Sequence, residues 1–118
     1  MNTIGDEIRI QNLLRIKKIV DKDNDGDKFI IVRTKKNMKF LREYGLDNED
    51  VKDIIRGLSV EDCFSGPEAD RNLQYSGWIF KFCPFFEDTR LYIKIRIENI
   101  DKSVCISVHE FSEYDEVN

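Results

Sequence analysis

Three short runs late in the chain carry side chains suited to phosphate chemistry, and they carry them at strand spacing. They are Trp78-Ile79-Phe80-Lys81-Phe82, Leu91-Tyr92-Ile93-Lys94-Ile95-Arg96-Ile97 and Val104-Cys105-Ile106-Ser107-Val108-His109. Successive side chains of a strand point to opposite faces, so Leu91, Ile93, Ile95 and Ile97 share one face and Tyr92, Lys94 and Arg96 the other. The same alternation predicts Val104, Ile106 and Val108 inward, with Cys105, Ser107 and His109 outward. It sets Lys81 on the face opposite Trp78, Phe80 and Phe82, which read as core. If the strands pair, one rigid surface offers a phenol, two ammonium groups, a guanidinium and the only imidazole of the chain. Such a surface could grip a phosphodiester and move its protons.

Taken singly, each residue has a plainer use. A histidine near a strand end often serves as a hydrogen-bonding surface group. Tyrosine is a common strand residue, and Lys94 and Arg96 would suit any solvent-facing row. Cys105 has no base beside it in sequence that would make it a nucleophile. The argument rests on the co-location of Tyr92, Lys94, Arg96, Lys81 and His109.

The elements that must position these residues follow from periodicity and punctuation. Ile8, Leu13, Leu14, Ile16 and Val20 lie near helical spacing, which predicts a helix over 6–20. Asn24 and Gly26 with alternating acids make 21–27 a turn, and Lys28–Arg33 reads as a strand. Thr34 can cap a helix that turns Met38, Phe40 and Leu41 inward and stops at Gly45. Asp47 or Asn48 caps the next, with Val51, Ile54 and Ile55 inward and Gly57 closing it. Ser65-Gly66-Pro67 marks 59–76 as mostly loop. Turns at Glu87-Asp88 and Asn99-Asp101 join the three late strands. The expected fold class is α+β in two layers, with the N-terminal helices on one face of a twisted antiparallel sheet. The chain, 1–118, reads as one domain with a flexible acidic tail over 112–118.

Composition narrows the function classes. With 41% apolar and 36% charged residues the chain suits a soluble globular domain. No apolar run approaches the roughly 20 residues that span a bilayer, and the polar start Met1–Ile10 is not expected to act as a signal peptide. Cys63, Cys83 and Cys105 are odd in number and widely spaced, so reduced thiols in a cytoplasmic setting are expected, with no disulfide framework and no zinc site. The net charge of −4 conceals a basic run, Lys28, Arg33, Lys35, Lys36, Lys39 and Arg42, that contains no acid. It reads either as a solvated helix face or as a patch, centred on Lys35 and Lys36, that holds a few phosphates.

Asp21, Asp23, Asp25 and Gly26 match the opening of a calcium-binding loop. Such a loop needs a bidentate carboxylate at its twelfth position, where this chain has Val32. A solvated acidic hairpin turn is the expectation, and no metal or other cofactor is assigned.

Further motifs add a resemblance. Gly57-Leu58-Ser59-Val60-Glu61-Asp62, Trp78-Ile79-Phe80, Tyr92-Ile93-Lys94 and Ile106-Ser107-Val108-His109-Glu110, in this order, resemble the MqsR family of type II toxin–antitoxin toxins. The matching stretch runs from about Val32 to Glu110, and Phe40-Leu41 through Tyr44-Gly45-Leu46 fits the family's step between helices. The resemblance implies a RelE-like α+β fold and an mRNA endoribonuclease silenced by a cognate antitoxin protein. It implies metal-free attack of the RNA 2′-hydroxyl on the adjacent phosphorus. Tyr92 falls on the family's functional tyrosine and Lys94 on the lysine two residues later, while His109 stands where the family has a lysine. Ser65 and Ile79 stand where a family lysine and glutamine are expected, and Lys81 could serve for one of them. With Arg96, Lys35 and Lys36 on the phosphate, the expected activity is metal-independent cleavage of mRNA. The competing expectation is a non-catalytic acidic binding module of the same fold, acting as an inhibitor or nucleic-acid mimic.

Overall fold

The computed structural model describes residues 4–72 and 74–112; apart from Ser112, the acidic tail expected at 112–118 lies outside them. Helix α1 (Ile4–Lys22) extends beyond the predicted 6–20 at both ends. It turns Leu13, Ile16, Ile19 and Val20 into the core and leaves Ile8 and Leu14 exposed. Strand β1 (Phe29–Ile31) follows, then α2 (Lys35–Tyr44) and α3 (Asn48–Arg56). The Thr34 side chain accepts the N–H of Asn37 at the start of α2, and Gly45 ends that helix at φ 65°, where only glycine sits without steric cost. Asp47 and Asp50 cap α3 reciprocally.

A short 3-10 helix (Val60–Asp62) leads to β2 (Cys63–Ala69), β3 (Trp78–Phe82), β4 (Phe85–Phe86), β5 (Thr89–Asn99) and β6 (Lys102–Glu110). The main sheet runs β1-β6-β5-β3-β2, with β4 paired to β5. Its core face takes Phe80, Phe82, Leu91, Ile93, Ile95 and Val108, which meet Ile16, Val20, Val51, Ile55 and Leu58 from the helical layer. Burying such side chains supplies about 1.5–3 kcal/mol each, the main force holding layer to layer. The α+β architecture with N-terminal helices over the sheet is therefore as expected. No helix among the described residues is long and apolar enough to cross a membrane.

Four features depart from the sequence reading. First, the sheet is mixed, because β1 pairs with β6 in parallel. Helices α2 and α3 carry the chain from β1 to β2 at the far edge of the sheet, so no tight turn joins β1 to β6 and nothing forces the pair to be antiparallel. Second, residues 63–69 form an edge strand, not a loop. Gly66 and Pro67 fit because register shifts on either side of Ser65 interrupt the ladder at an edge, where proline is tolerated. Gly66 sits at φ 122°, and a Cβ there would come within 2.7 Å of the Ile79 carbonyl oxygen. Arg9 of α1 donates to the Gly66 and Cys63 carbonyls at 2.8 and 3.4 Å, fastening β2 to the helix.

Third, the simple alternation along β6 fails. Lys94 pairs with Ser107 but Ile95 pairs with Cys105, so Ile106 is an extra residue that reverses the faces before it. Cys105 and Ser103 therefore point into the core, and Val104 shares the face of Arg96. Asn37 explains why the bulge is tolerated. Its side chain donates to the carbonyls of Val32 and Ile106 and accepts the N–H of Val108, at 2.8, 3.0 and 2.9 Å. A buried amide thus satisfies the backbone groups the bulge unpairs. Burial pushes the Cys105 thiol up to about 12, which removes it as a nucleophile near neutral pH. Trp78 is on the core face as expected, opposite the buried Ile97, yet it is itself 56% exposed.

Fourth, the acidic turn is not a hairpin, and although Asp21, Asp25 and Asp27 are solvated as expected, Asp23 is not. The turn links α1 to β1, and Asp23 is buried within it. One Asp23 oxygen accepts the N–H groups of Lys28 and Phe29 at 2.7 and 2.8 Å. The other accepts the Gly26 N–H at 3.2 Å and pairs with Lys52 Nζ of α3 at 2.6 Å. Asp21 pairs with Arg56 at 2.7 Å. These carboxylates organise the chain, and no group of three or more His, Cys, Asp or Glu among the described residues could hold a metal ion.

Candidate functional site

The face of the sheet turned away from the helices carries the predicted chemistry in rows set by register. Ser107, Lys94, Lys81 and Ser65 stand in one row across β6, β5, β3 and β2. Val104, Arg96, Ile79 and Glu68 form the next row. On the other side of the lysines, Tyr92 and His109 are direct partners on β5 and β6. Their ring centroids are 5.5 Å apart and tilted by 31°. Phe64 and Phe111 pack against the phenol ring at 6.2 and 6.0 Å, which fixes its orientation. His109 Nδ1 lies 3.0 Å from the Glu110 carbonyl oxygen.

The pair is largely buried, but each ring borders open space. Tyr92 lines a cleft of about 160 Å³ with Lys81, Lys94, Glu68, Asp70 and Ile79. His109 lines a neighbouring groove of about 210 Å³ with Lys36 and Lys39 of α2. Positive side chains therefore flank the Tyr92–His109 pair on both sides. Lys36 takes part in this arrangement, whereas Lys35 is exposed on α2 and lines neither concavity.

The three cations on the sheet face are not equivalent. Arg96 is closed off: it bonds Asp70 and Glu98, each at 2.9 Å, and Tyr75 covers its guanidinium at 4.2 Å. Lys81 pairs with Glu68 at 3.1 Å, and Ser65 Oγ donates to the same carboxylate at 2.7 Å. Burial opposes ionisation of Glu68, but the Ser65 and Lys81 hydrogen bonds prevail and hold its carboxyl below the usual range. Lys94 differs. It is half-buried, and its ammonium has no ion-pair or hydrogen-bond partner among the described residues. Burial and the neighbouring Lys81 charge lower its pKa, although Asp70 and Glu68 work in the opposite direction. A half-desolvated ammonium without a carboxylate against it is ready to bind an incoming anion or to give up a proton.

Of the residues predicted from sequence, the fold brings Tyr92, His109, Lys94 and Lys81 together and adds Lys36 at the edge. It diverts Arg96 into an internal ion pair and leaves Lys35 outside. Sequence reasoning missed Glu68 and Asp70, because both lie in the segment read as loop. Their regular place beside the lysines became visible only once β2 had its register. It also missed Lys39, although the basic run that contains it was a usable signal.

No protein-family model matches the chain, and no curated protein sequence matches it.

Proposed function

We propose that this protein is a metal-independent endoribonuclease that cuts mRNA through the RNA's own 2′-hydroxyl and is silenced by a protein partner. One observation carries the reading: the Tyr92–His109 register pair lies one step along the same face from Lys94, whose ammonium has no carboxylate partner among the described residues. In the reaction His109 removes the 2′-OH proton, the 2′-oxygen bonds to phosphorus, and the P–O5′ bond breaks as Tyr92 delivers a proton to the leaving oxygen. The products are a 2′,3′-cyclic phosphate and a 5′-hydroxyl. Lys94 and Lys81 offset the charge that builds on the phosphorane, and Lys36 and Lys39 receive the phosphate on the far side of His109.

The test is cleavage of a defined RNA by the purified protein in EDTA. Cyclic phosphate ends are expected, with loss of about a hundredfold or more in rate for His109→Ala and Tyr92→Phe. Intact RNA, or cleavage that stops in EDTA and returns with magnesium, would overturn the reading. A second reading has its own observation. Glu68 and Asp70 already occupy Lys81 and Arg96, as expected of an acidic binding module with no RNA to hold. That module would leave RNA intact and would bind a protein or nucleic-acid partner without turnover.

A further inference from the structure

A separate concentration of positive charge lies at the opposite end of the strands. Along α1, Gln11, Arg15, Lys18 and Lys22 follow one stripe at helical spacing. Lys28, just before β1, and Ile100-Asp101, in the turn between β5 and β6, complete a pocket of about 370 Å³ with Leu14 and Ile19. Tyr92 stands near the start of β5 and Ile100 just beyond its end, so the pocket lies about 25 Å from the Tyr92–His109 pair.

Other cations of α1 are used internally: Arg9 holds β2, and Lys17 donates to the Leu58 carbonyl at 2.5 Å. The side chains of Arg15, Lys18, Lys22 and Lys28 make no ion pair or hydrogen bond with a described residue. Like charges three and four residues apart oppose helix formation, so the stripe costs α1 stability that an anion would restore. The clustering is notable in a chain whose net charge is −4. Volume on this scale is typical of small-molecule sites, and the walls are aliphatic. Leu14 and Ile100 present 56% and 71% of their surface to solvent beside the charges. No aromatic ring among the described residues lines the pocket, so a nucleobase would have none of them to stack on.

We infer that this pocket binds an organic diphosphate with a compact aliphatic body. The Arg15 fork and the three lysines take the phosphoryl oxygens, and Leu14, Ile19 and Ile100 cover the hydrocarbon. Asp101 leaves an excess of three positive charges in the lining, close to the roughly two to three negative charges of a diphosphate ester near neutral pH.

Titration calorimetry of the full chain with isopentenyl diphosphate, inorganic pyrophosphate and ADP tests this. Isopentenyl diphosphate should bind most tightly, and Lys18→Gln with Lys22→Gln should weaken it by about tenfold or more. Leu14→Ser should reduce binding of isopentenyl diphosphate and leave pyrophosphate unchanged, while Lys94→Ala should alter neither. All four positions are solvent-facing or half-buried, and circular dichroism checks that the variants fold. Absence of binding at millimolar ligand, unchanged affinity in the double variant, or tighter binding of ADP would overturn the assignment. So would single-stranded RNA that loses affinity in the double variant while isopentenyl diphosphate does not bind.

Discussion

The protein removes lysines from water in two places and treats them in opposite ways. At the junction of α1, β1 and α3, Lys52 meets Asp23 at 2.6 Å and Glu49 at 3.1 Å, and Asp23 accepts three backbone N–H groups besides. On the sheet face, Lys94 is half-buried beside another lysine and has no such partner among the described residues. The first arrangement satisfies every charge it buries, and its effect is to fasten the helical layer to the turn before the sheet. The second leaves desolvation of Lys94 partly uncompensated, a cost that folding alone does not explain. A buried charge with its partners in place marks structure, whereas one kept short of partners in a cleft marks a place for a ligand.

The contrast breaks most decisively by mutation. Lys52→Ala leaves the Asp23 carboxylate buried without its cation and should cost about 3–5 kcal/mol, read from the urea midpoint. Lys94→Met should leave stability unchanged or slightly higher, while lowering RNA cleavage by about a hundredfold. A large stability loss in Lys94→Met, or none in Lys52→Ala, would show that the two sites had been assigned the wrong way round.

A pH titration sharpens the same contrast. Burial opposes ionisation of Asp23, yet the Lys52 hydrogen bond and the N–H groups of Phe29 and Lys28 lower its pKa from 3.8 to about 2. A carboxyl depressed in the folded state contributes stability above its unfolded pKa, and that contribution fades as pH falls towards 2. About 2 kcal/mol should disappear between neutral pH and pH 2, and Asp23→Asn should remove this part of the acid profile. Lys94 acts in another window. Burial and Lys81 lower its pKa below 10.5, so the unfolded chain binds more protons there and stability should rise as pH rises through that range. A flat acid profile in the wild-type protein would remove Asp23 from its structural role.

The smallest effect concerns Glu68. Glu68→Gln frees Lys81 from its carboxylate, and binding of an uncleavable 2′-deoxy-substituted RNA should tighten by about two- to fivefold at low salt, measured by fluorescence anisotropy. Weaker binding would mean that Glu68 orients Lys81 for the phosphate instead of competing with it.

Much of the framework was legible because its signals are local. The Leu91–Ile97 alternation, the Thr34 and Asp47 caps and the Gly45 stop depend on residues within a few positions of one another, and all appear where the spacing puts them. Tyr92, Lys94 and Arg96 do share a face, and Tyr92 does meet His109. Their different fates depended on distant residues. Arg96 was sequestered by Asp70, 26 positions away, and Lys81 was paired by Glu68 from a strand that Gly66 and Pro67 disguised as loop. The bulge at Ile106 rests on Asn37, 69 positions earlier, and turns Cys105 into the core against its local alternation. Asp23 read as one more solvated acid of the turn until Lys52 of α3 came to lie against it. The sequence by itself determined which side chains share a face along an unbroken strand such as β5, since alternation is a property of the extended backbone. The tertiary structure decided which of those charges remain available, because the partners that neutralise them arrive only when separate segments pack.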